Sequence, residues 1–418
     1  MNILNKLTLL AFLAASTAIP TTVTHAADVE VEHWYTSSSE AAALAVVKKA
    51  VEDRGVQWRD APVAGGGGDA AMTALRARVQ AGDPPGSVQL LGLAIADWAQ
   101  TGALMSLDDV AAKENWDAVI PKELQAFSKY DGHYVAAPLD MHRANWVWIN
   151  TKLMEKVGGK APENFEQLIE LGKKFKEAGV VPLAIGGQPW QQGVVFDSAV
   201  LAVGGPDFYR KAFVDLDPEA LGSDTMVKAF DQLRELRGLV DSDFTNRDWN
   251  LAAAMVTQEK AGMQIIGDWA KGEFASAGLT PGKDITCISY PGTQGDVVFL
   301  TNQFAMFKDS KSDKQAQETF ASVLMDPKVE AEYSIIKGNI PARTDASVPG
   351  IDACGQKSID DRKEALAKGG FMPSMTFNHA APPAVVGAYL DVVTHFFNSD
   401  MSSKDAAAQL VDAVANAQ

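Results

Sequence analysis

Aromatic side chains stand at two places where an apolar, strand-like run gives way to a helix-like run. Trp34 and Tyr35 follow the first run, which begins at Val29, and Trp269 follows the run 262–266. Ligands of α/β proteins bind just beyond the carboxyl ends of strands. A flat ring there can hold the apolar C–H face of a sugar while amides and carboxylates bind its hydroxyls. Core packing is the alternative, and it must hold for most of the nine tryptophans. The two segments nevertheless predict a small-molecule site.

Glu40 is a polar candidate beside these rings. Ser37 and Glu40 have the spacing of a capping box, in which each residue accepts a hydrogen bond from the backbone of the other. That pattern explains both residues without any ligand. The sequence therefore leaves Glu40 open between a helix cap and a ligand contact.

Other motifs lack the partners that their chemistry would require. Gly65–Gly68 precedes a helix, but no Lys-Ser/Thr follows as in a phosphate-binding loop, so a tight or flexible loop is the better interpretation. The histidines after residue 26 have no metal-ligand spacing, and no Gly-x-Ser-x-Gly elbow is present. A glycosidase needs two carboxylates at a fixed separation, and the sequence singles out no pair among its 53 acidic residues. We predict no metal, cofactor or catalytic residue, with a carbohydrate-active enzyme as an alternative.

The elements that would position these residues alternate between strands and helices. This pattern predicts an α/β fold with helices covering mostly parallel sheets, and the length favours two domains. Punctuated segments at 138–142, 290–295 and 338–341 suggest three crossings between the domains. We predict one lobe from 27–137 plus 300–341, and a second from 138–299 plus 342–418.

Composition and the N-terminus indicate an exported protein. Residues 1–26 have the short charged start, apolar stretch and small-residue end of a signal peptide. Removing Lys6 with this leader takes the formal charge from −16 to −17. This charge disfavours nucleic acid and anionic lipid as partners, and no later apolar run is long enough to insert into a membrane.

The two cysteines are predicted to pair. Cys287 and Cys354 are the only cysteines in the chain, and in an exported protein an isolated pair favours a disulfide over a metal or catalytic site. On the chain-entropy model such a bond contributes about 4 kcal/mol.

Seven segments, in order along nearly the whole mature chain, resemble the periplasmic glucose/mannose-binding proteins of ABC sugar transporters. They are His33-Trp34-Tyr35, Gly65–Gly68, Gly82-Asp83-Pro84-Pro85, Met141-His142-Arg143-Ala144-Asn145, Gly267-Asp268-Trp269, Tyr290-Pro291-Gly292-Thr293-Gln294-Gly295 and Lys337-Gly338-Asn339-Ile340-Pro341-Ala342-Arg343. The resemblance implies a two-lobed periplasmic-binding-protein fold with the ligand in the cleft and no catalytic activity. It also implies a monomer that delivers its sugar to the membrane permease of an ATP-driven importer.

The resemblance also assigns roles to individual residues. Trp34 and Trp269 look like the stacking residues of the family, and Tyr35 stands where a second Trp is usual. Glu40, Gln89 and Lys337 look like its polar contacts to sugar hydroxyls.

The chain departs from the family pattern at three further positions. A polar or basic residue is usual close to Leu91, and Asn302 replaces an Asp. Phe377 stands where a sugar-contacting His is usual, with His379 as the nearest imidazole. Asn302 and His379 are therefore included among the predicted ligand contacts. An amide offers one acceptor where a carboxylate offers two, so charge-assisted bonds of roughly 1.5–3 kcal/mol each would be lost. We predict a carbohydrate other than free glucose, such as a deoxy or substituted sugar or a small oligosaccharide. The same fold binding a non-sugar solute remains an alternative.

Overall fold

The structure is a computed structural model that describes residues 27–418, so the predicted signal peptide at 1–26 lies outside the described residues. Within this range the chain forms fifteen strands. They are β1 Asp28–His33, β2 Gln57–Pro62, β3 Ser87–Leu91, β4 Lys129–Tyr130, β5 His133–Tyr134, β6 Ala136–Pro138, β7 Asp140–Arg143, β8 Trp146–Asn150, β9 Val181–Ala184, β10 Ala261–Ile265, β11 Ile285–Ser289, β12 Val297–Leu300, β13 Asn302–Met306, β14 Ile340–Pro341 and β15 Phe371–Pro373.

Eighteen α-helices occupy much of the remaining described chain. They are α1 Ser38–Asp53, α2 Asp69–Gln80, α3 Ala94–Gln100, α4 Asp108–Lys113, α5 Trp116–Val119, α6 Lys122–Ser128, α7 Thr151–Lys156, α8 Phe165–Glu177, α9 Pro189–Tyr209, α10 Pro218–Leu221, α11 Asp224–Arg237, α12 Trp249–Thr257, α13 Ala270–Ser276, α14 Lys314–Leu324, α15 Pro327–Lys337, α16 Ala353–Lys368, α17 Pro383–Asn398 and α18 Ser403–Ala417. No helix between residues 27 and 418 combines the length and apolar character needed to cross a membrane.

The strands form three main sheets and one small hairpin. The first sheet has the order β2-β1-β3-β13-β6, the second β11-β8-β10-β9, and the third β14-β7-β12-β15. The chain leaves the first sheet after β6 and returns at β13, one residue after β12 of the third sheet. The α/β class is therefore confirmed, and the predicted division into lobes at named residues remains a prediction.

The expectation of mostly parallel sheets is wrong. Among the described strands, β1 pairs in parallel with β2 and β3, β9 with β10, and β12 with β15. Seven other pairs are antiparallel. The reason is that strands such as β13 arrive directly from another sheet, without the crossover helix that a parallel neighbour needs.

The first helix begins where the capping pattern predicted. Ser37 adopts an extended conformation, and its hydroxyl accepts from the backbone N–H of Glu40 at 3.3 Å. Glu40 Oε2 accepts in return from the backbone N–H groups of Ser37 at 3.1 Å and Thr36 at 3.2 Å. This capping box fixes the start of α1 shortly after the aromatic pair that follows β1.

A disulfide bond joins Cys287 to Cys354. Cys287 lies on β11 and Cys354 near the start of α16, so the bond ties the second sheet to a helix 67 residues further along the chain.

Candidate functional site

A cavity of about 40 Å³ lies between the first sheet and the other two sheets. Its lining comes from the ends of strands, the ends of helices and the loops between them, on both sides. The residues are Trp34, Tyr35, Glu40, Gly66, Gly67, Leu91, His142, Trp190, Trp249, Trp269, Leu300, Asn302, Lys337 and Phe377. The cavity therefore occupies the position beyond strand ends where α/β folds bind ligands.

The rings of Trp190, Trp269 and Phe377 pack against one another and form one wall of the cavity. The centroids of Trp190 and Trp269 are 6.0 Å apart, and that of Phe377 lies 5.9 Å from Trp190 and 5.6 Å from Trp269. All three side chains are buried. Because each ring is held by its neighbours, the wall offers a rigid apolar surface to a flat ligand.

A glycine loop closes the cavity from the first-sheet side. A Cβ atom on Gly66 would lie 2.9 Å from Cδ1 of Trp249, and one on Gly67 would lie 2.6 Å from Cδ1 of Trp190. Gly67 also has a φ of +83°, which side chains other than glycine rarely adopt. The run Gly65–Gly68 is thus a tight loop whose backbone rests on the indoles, in agreement with the non-phosphate interpretation.

A buried ion pair forms one polar part of the cavity lining. Lys337 Nζ lies 2.9 Å from Glu40 Oε1, and the two side chains are 2% and 8% exposed. The ammonium also lies 4.8 Å from the ring centroid of Tyr35. An ammonium has three N–H donors, and within the described residues only Glu40 accepts from this one. Two donors therefore remain for a ligand.

Asp140 lies behind the lining and holds two of its polar residues, Tyr35 and Asn302. Its carboxylate accepts from the hydroxyls of Tyr35 and Tyr333 at 3.4 and 3.2 Å, and from the backbone and side-chain amides of Asn302 at 2.9 and 3.0 Å. Burial would raise the pKa of Asp140, but His142 and these donors outweigh it, so the pKa is lowered. The carboxylate is therefore ionised, and its hydrogen bonds orient the lining residues Tyr35 and Asn302.

His142 lies between two carboxylates. Its Nε2 is 3.2 Å from Asp140 Oδ2, and its Nδ1 bonds to Asp268 Oδ1. Burial alone would lower the pKa of His142, but the charges of Asp140 and Asp268 raise it to about 9. At neutral pH this ring is therefore an imidazolium with both N–H groups engaged, and its edge-on contact with Trp269, at 5.5 Å between centroids, fixes that indole.

Six of the eight residues proposed as ligand contacts line the cavity: Trp34, Tyr35, Glu40, Trp269, Asn302 and Lys337. Gln89 lies one layer behind, where its Nε2 donates to Asn302 Oδ1 at 2.7 Å and its Oε1 accepts from the backbone of Trp34 at 3.3 Å. Gln89 therefore orients two lining residues.

His379 does not line the cavity, whereas Phe377, two residues before it, does. Nδ1 of His379 donates to the Phe377 carbonyl at 2.7 Å, and Nε2 accepts from the Thr301 backbone at 3.1 Å. Burial lowers the pKa of His379 to about 4, so the ring is neutral. Both ring nitrogens are hydrogen-bonded to backbone groups, so the structure does not support the ligand contact expected of His379.

Trp190, Trp249 and His142 were missed by the sequence reasoning. Trp190 and Trp249 lie in the first turns of α9 and α12, and Trp269 directly precedes α13. A tryptophan at a helix start is the local signal that the three share. For His142 the signal was its spacing of two from Asp140 on one strand, which places both side chains on one face.

Two further contacts enclose the cavity. Glu273 of α13 accepts from the backbone N–H and the hydroxyl of Ser39, at 3.2 and 2.5 Å, at the start of α1. The backbone N–H of Leu93 donates to the carbonyl of Asn378 at 2.7 Å. Both contacts join a segment near the first sheet to one near the other sheets.

Among residues 27–418, no group of three or more His, Cys, Asp or Glu residues could hold a metal ion.

Close relatives of the chain are bacterial. A probable sugar-binding periplasmic protein of Brucella suis biovar 1 is 55% identical over 387 residues, covering 93% of this chain and 92% of the relative. A protein of the same description from Rhizobium meliloti is 53% identical over 402 residues, covering 96% and 97%.

Solved structures with low sequence identity share the fold. The bacterial solute receptor AcbH, which prefers β-D-galactopyranose, has a TM-score of 0.78 at 19% identity and covers 93% of this chain and 98% of its own. Maltose-bound MalE3 of T. maritima has a TM-score of 0.74 at 15% identity, with coverage of 93% and 99%. These similarities confirm the two-lobed α/β fold.

The family model for the bacterial extracellular solute-binding protein matches residues 36–328, which is well over half of the chain. Together with the relatives above, this match shows that the chain belongs to the bacterial extracellular solute-binding protein family.

Proposed function

We propose that the protein is the carbohydrate-binding component of an ABC importer, which captures its ligand in the periplasm and delivers it to a membrane permease. The observation that carries this proposal is the cavity itself, which combines the rigid Trp190–Trp269–Phe377 wall with the polar side chains of Glu40, Asn302 and Lys337. Rings of this kind suit the C–H face of a sugar, and the free donors of Lys337 suit its hydroxyls. Relatives described as probable sugar-binding periplasmic proteins support the same ligand class.

Binding is coupled to closure of two lobes, 27–137 plus 300–341 and 138–299 plus 342–418. The glycine loop on Trp190 and Trp249, and the contact of Glu273 with Ser39, both cross this proposed boundary. A ligand that touches both lobes favours the closed state by its differential affinity for that state. The protein acts as a monomer and carries out no chemistry on its ligand.

The ligand differs from free glucose. Asn302 uses its amide oxygen for Gln89 and its amide nitrogen for Asp140, so it has little left for a sugar. Leu91 and Phe377 add apolar surface to the lining. These features suit a sugar with fewer free hydroxyls at that edge.

A thermal-shift screen over sugars, polyols and amino acids tests the function, because a ligand that binds only the folded state raises the melting temperature with its concentration. We expect a carbohydrate to stabilise the protein without being turned over. A shift with amino acids alone would favour a non-sugar solute, and release of products from a glycan would favour an enzyme. Micromolar or tighter binding of glucose in calorimetry would contradict the ligand assignment and leave the family unchanged.

Paired variants identify the cavity as the site. Trp269→Leu should abolish carbohydrate binding because it removes a wall of the cavity. Trp58→Leu is the matched control, since Trp58 is buried to the same degree on β2 but lines no part of the cavity. Both variants lose stability, and only the first should lose binding.

A further inference from the structure

A second and larger cavity adjoins the first. Its volume is about 440 Å³ against about 40 Å³ for the first, and Gly67, Trp190 and Phe377 line both. Helices α2 and α3 form one side of it, and the start of α9, the segment after β15 and α17 form the other. The two cavities therefore meet at the glycine loop and the aromatic wall.

The charged side chains of the second cavity have no polar partner among residues 27–418. Asp69, Arg76 and Asp97 line it and are exposed. None of the three side chains makes a hydrogen bond or ion pair with another residue in the part of the chain that the structure describes. Carboxylates accept from hydroxyls and a guanidinium donates to them through a planar fork, so this set is suited to a polyhydroxylated ligand.

Aromatic surface accompanies these polar groups. The half-buried indole of Trp98 lines the second cavity beside Asp97 and packs edge-on against Phe307, at 5.5 Å between centroids. A ring with polar groups beside it repeats the composition of the first cavity.

An unpaired buried donor lies at the junction of the cavities. Trp190 is 4% exposed and lines both cavities, and its Nε1 has no acceptor within the described residues. Buried polar groups are almost always hydrogen-bonded. An indole N–H that lacks a protein partner at this position indicates an acceptor supplied by a ligand, and a glycosidic or hydroxyl oxygen has that chemistry.

We propose that the second cavity is a second glycosyl subsite, so that the ligand is a disaccharide or longer saccharide. One sugar unit occupies the first cavity, the chain passes Gly67 and Trp190, and the next unit lies among Asp69, Arg76, Asp97 and Trp98. This inference rests on the proposed carbohydrate-binding function and adds the size of the ligand to it.

Calorimetric titration of the full mature chain tests the inference with two panels. The first panel holds glucose, galactose, mannose and xylose, and the second holds maltose, cellobiose, lactose and xylobiose. At least one disaccharide should bind tenfold or more tightly than its constituent monosaccharides. Asp97→Asn and Arg76→Gln should each lower the affinity for that disaccharide by about tenfold more than they lower the affinity for the monosaccharide, because a lost hydrogen bond to a charged group is typically of that size.

Asp109→Asn is the matched control for Asp97→Asn. Both aspartates are exposed in the first turn of a short helix, and Asp109 lines neither cavity. Monosaccharides that bind as tightly as every disaccharide would overturn the subsite and leave the proposed function standing. A tighter disaccharide whose affinity is unchanged in both variants, or changed equally by Asp109→Asn, would overturn it as well. Binding of no carbohydrate from either panel would overturn the subsite and the proposed function together.

Discussion

Replacing Glu40 by Gln separates its role in the helix cap from its role in the buried ion pair. Glutamine can still accept from the backbone at the third position of a capping box, so the start of α1 should be kept. The negative charge opposite Lys337 is lost, however, and that ammonium is 2% exposed with Glu40 as its ion-pair partner. The variant therefore leaves a buried cation without a counter-charge.

The contacts of Glu40 and Lys337 predict that replacing them will lower the free energy of unfolding by unequal amounts. Removing one member of a buried pair costs about 3–5 kcal/mol, and we expect about 3 kcal/mol for Glu40→Gln because the cavity lets some water reach Lys337. Lys337→Met should cost less, about 1–2 kcal/mol, since the carboxylate of Glu40 keeps two backbone donors and lies at a helix N-terminus. The double variant contains no unpaired charge and should be at least about 2 kcal/mol more stable than the sum of the single effects predicts.

Urea unfolding followed by circular dichroism and by tryptophan fluorescence measures these free energies, provided that the two probes give one transition. The exposed pair Lys49–Asp53 on the same helix is the control, and the cycle of Lys49→Met and Asp53→Asn should give a coupling near zero. Additive effects at Glu40 and Lys337, or a larger loss for Lys337→Met than for Glu40→Gln, would refute the reasoning.

Three further predictions concern pH, the glycine loop and the disulfide. The folded pKa of His142 is about 9 against 6.5 for the free side chain, so its contribution of about 3 kcal/mol is present below pH 6.5 and lost as pH rises towards 9. Urea midpoints should fall over that window, and His142→Gln should remove most of the slope; an unchanged slope would contradict the assignment. Gly67→Ala should destabilise the protein more, and reduce carbohydrate affinity more, than Gly55→Ala, because both residues have a φ near +80° but only Gly67 would meet an indole; equal effects in unfolding and titration experiments would show that the contact is unimportant. Replacing Cys287 and Cys354 together by Ser should lower the free energy of unfolding by about 4 kcal/mol on the chain-entropy model, measured by urea unfolding under non-reducing conditions, and a loss under 1 kcal/mol would exclude that account.

Local sequence patterns predicted the features that depend on neighbouring residues. The capping box is one case, because Ser37 and Glu40 meet within a single helical turn whatever the rest of the fold does. The rings that follow β1 and β10 are another, because the end of a strand can be read from apolar runs and glycines. The resemblance to known proteins added Lys337 and Asn302, which no local pattern singles out.

Features that join distant segments could not be predicted in this way. His379 was proposed as a contact because it is the imidazole nearest in sequence to the expected position, yet the turn after β15 directs both its nitrogens to backbone groups. The sheets were expected to be mostly parallel. That expectation was wrong because the direction of a strand depends on which sheet it enters. Local alternation does not contain that information.

The sequence by itself determined the α/β class, the cap of α1 and the placing of rings at strand ends, since these follow from periodicity and spacing over a few residues. Only the tertiary structure decided that Asp268 faces His142 from 126 residues away and so makes the imidazole a fixed cation. It also decided that Trp190 and Trp249 lie beneath the glycine loop. The physical reason is that burial, charge pairing and close packing are properties of neighbours in space, and the chain sets those neighbours only when the lobes come together.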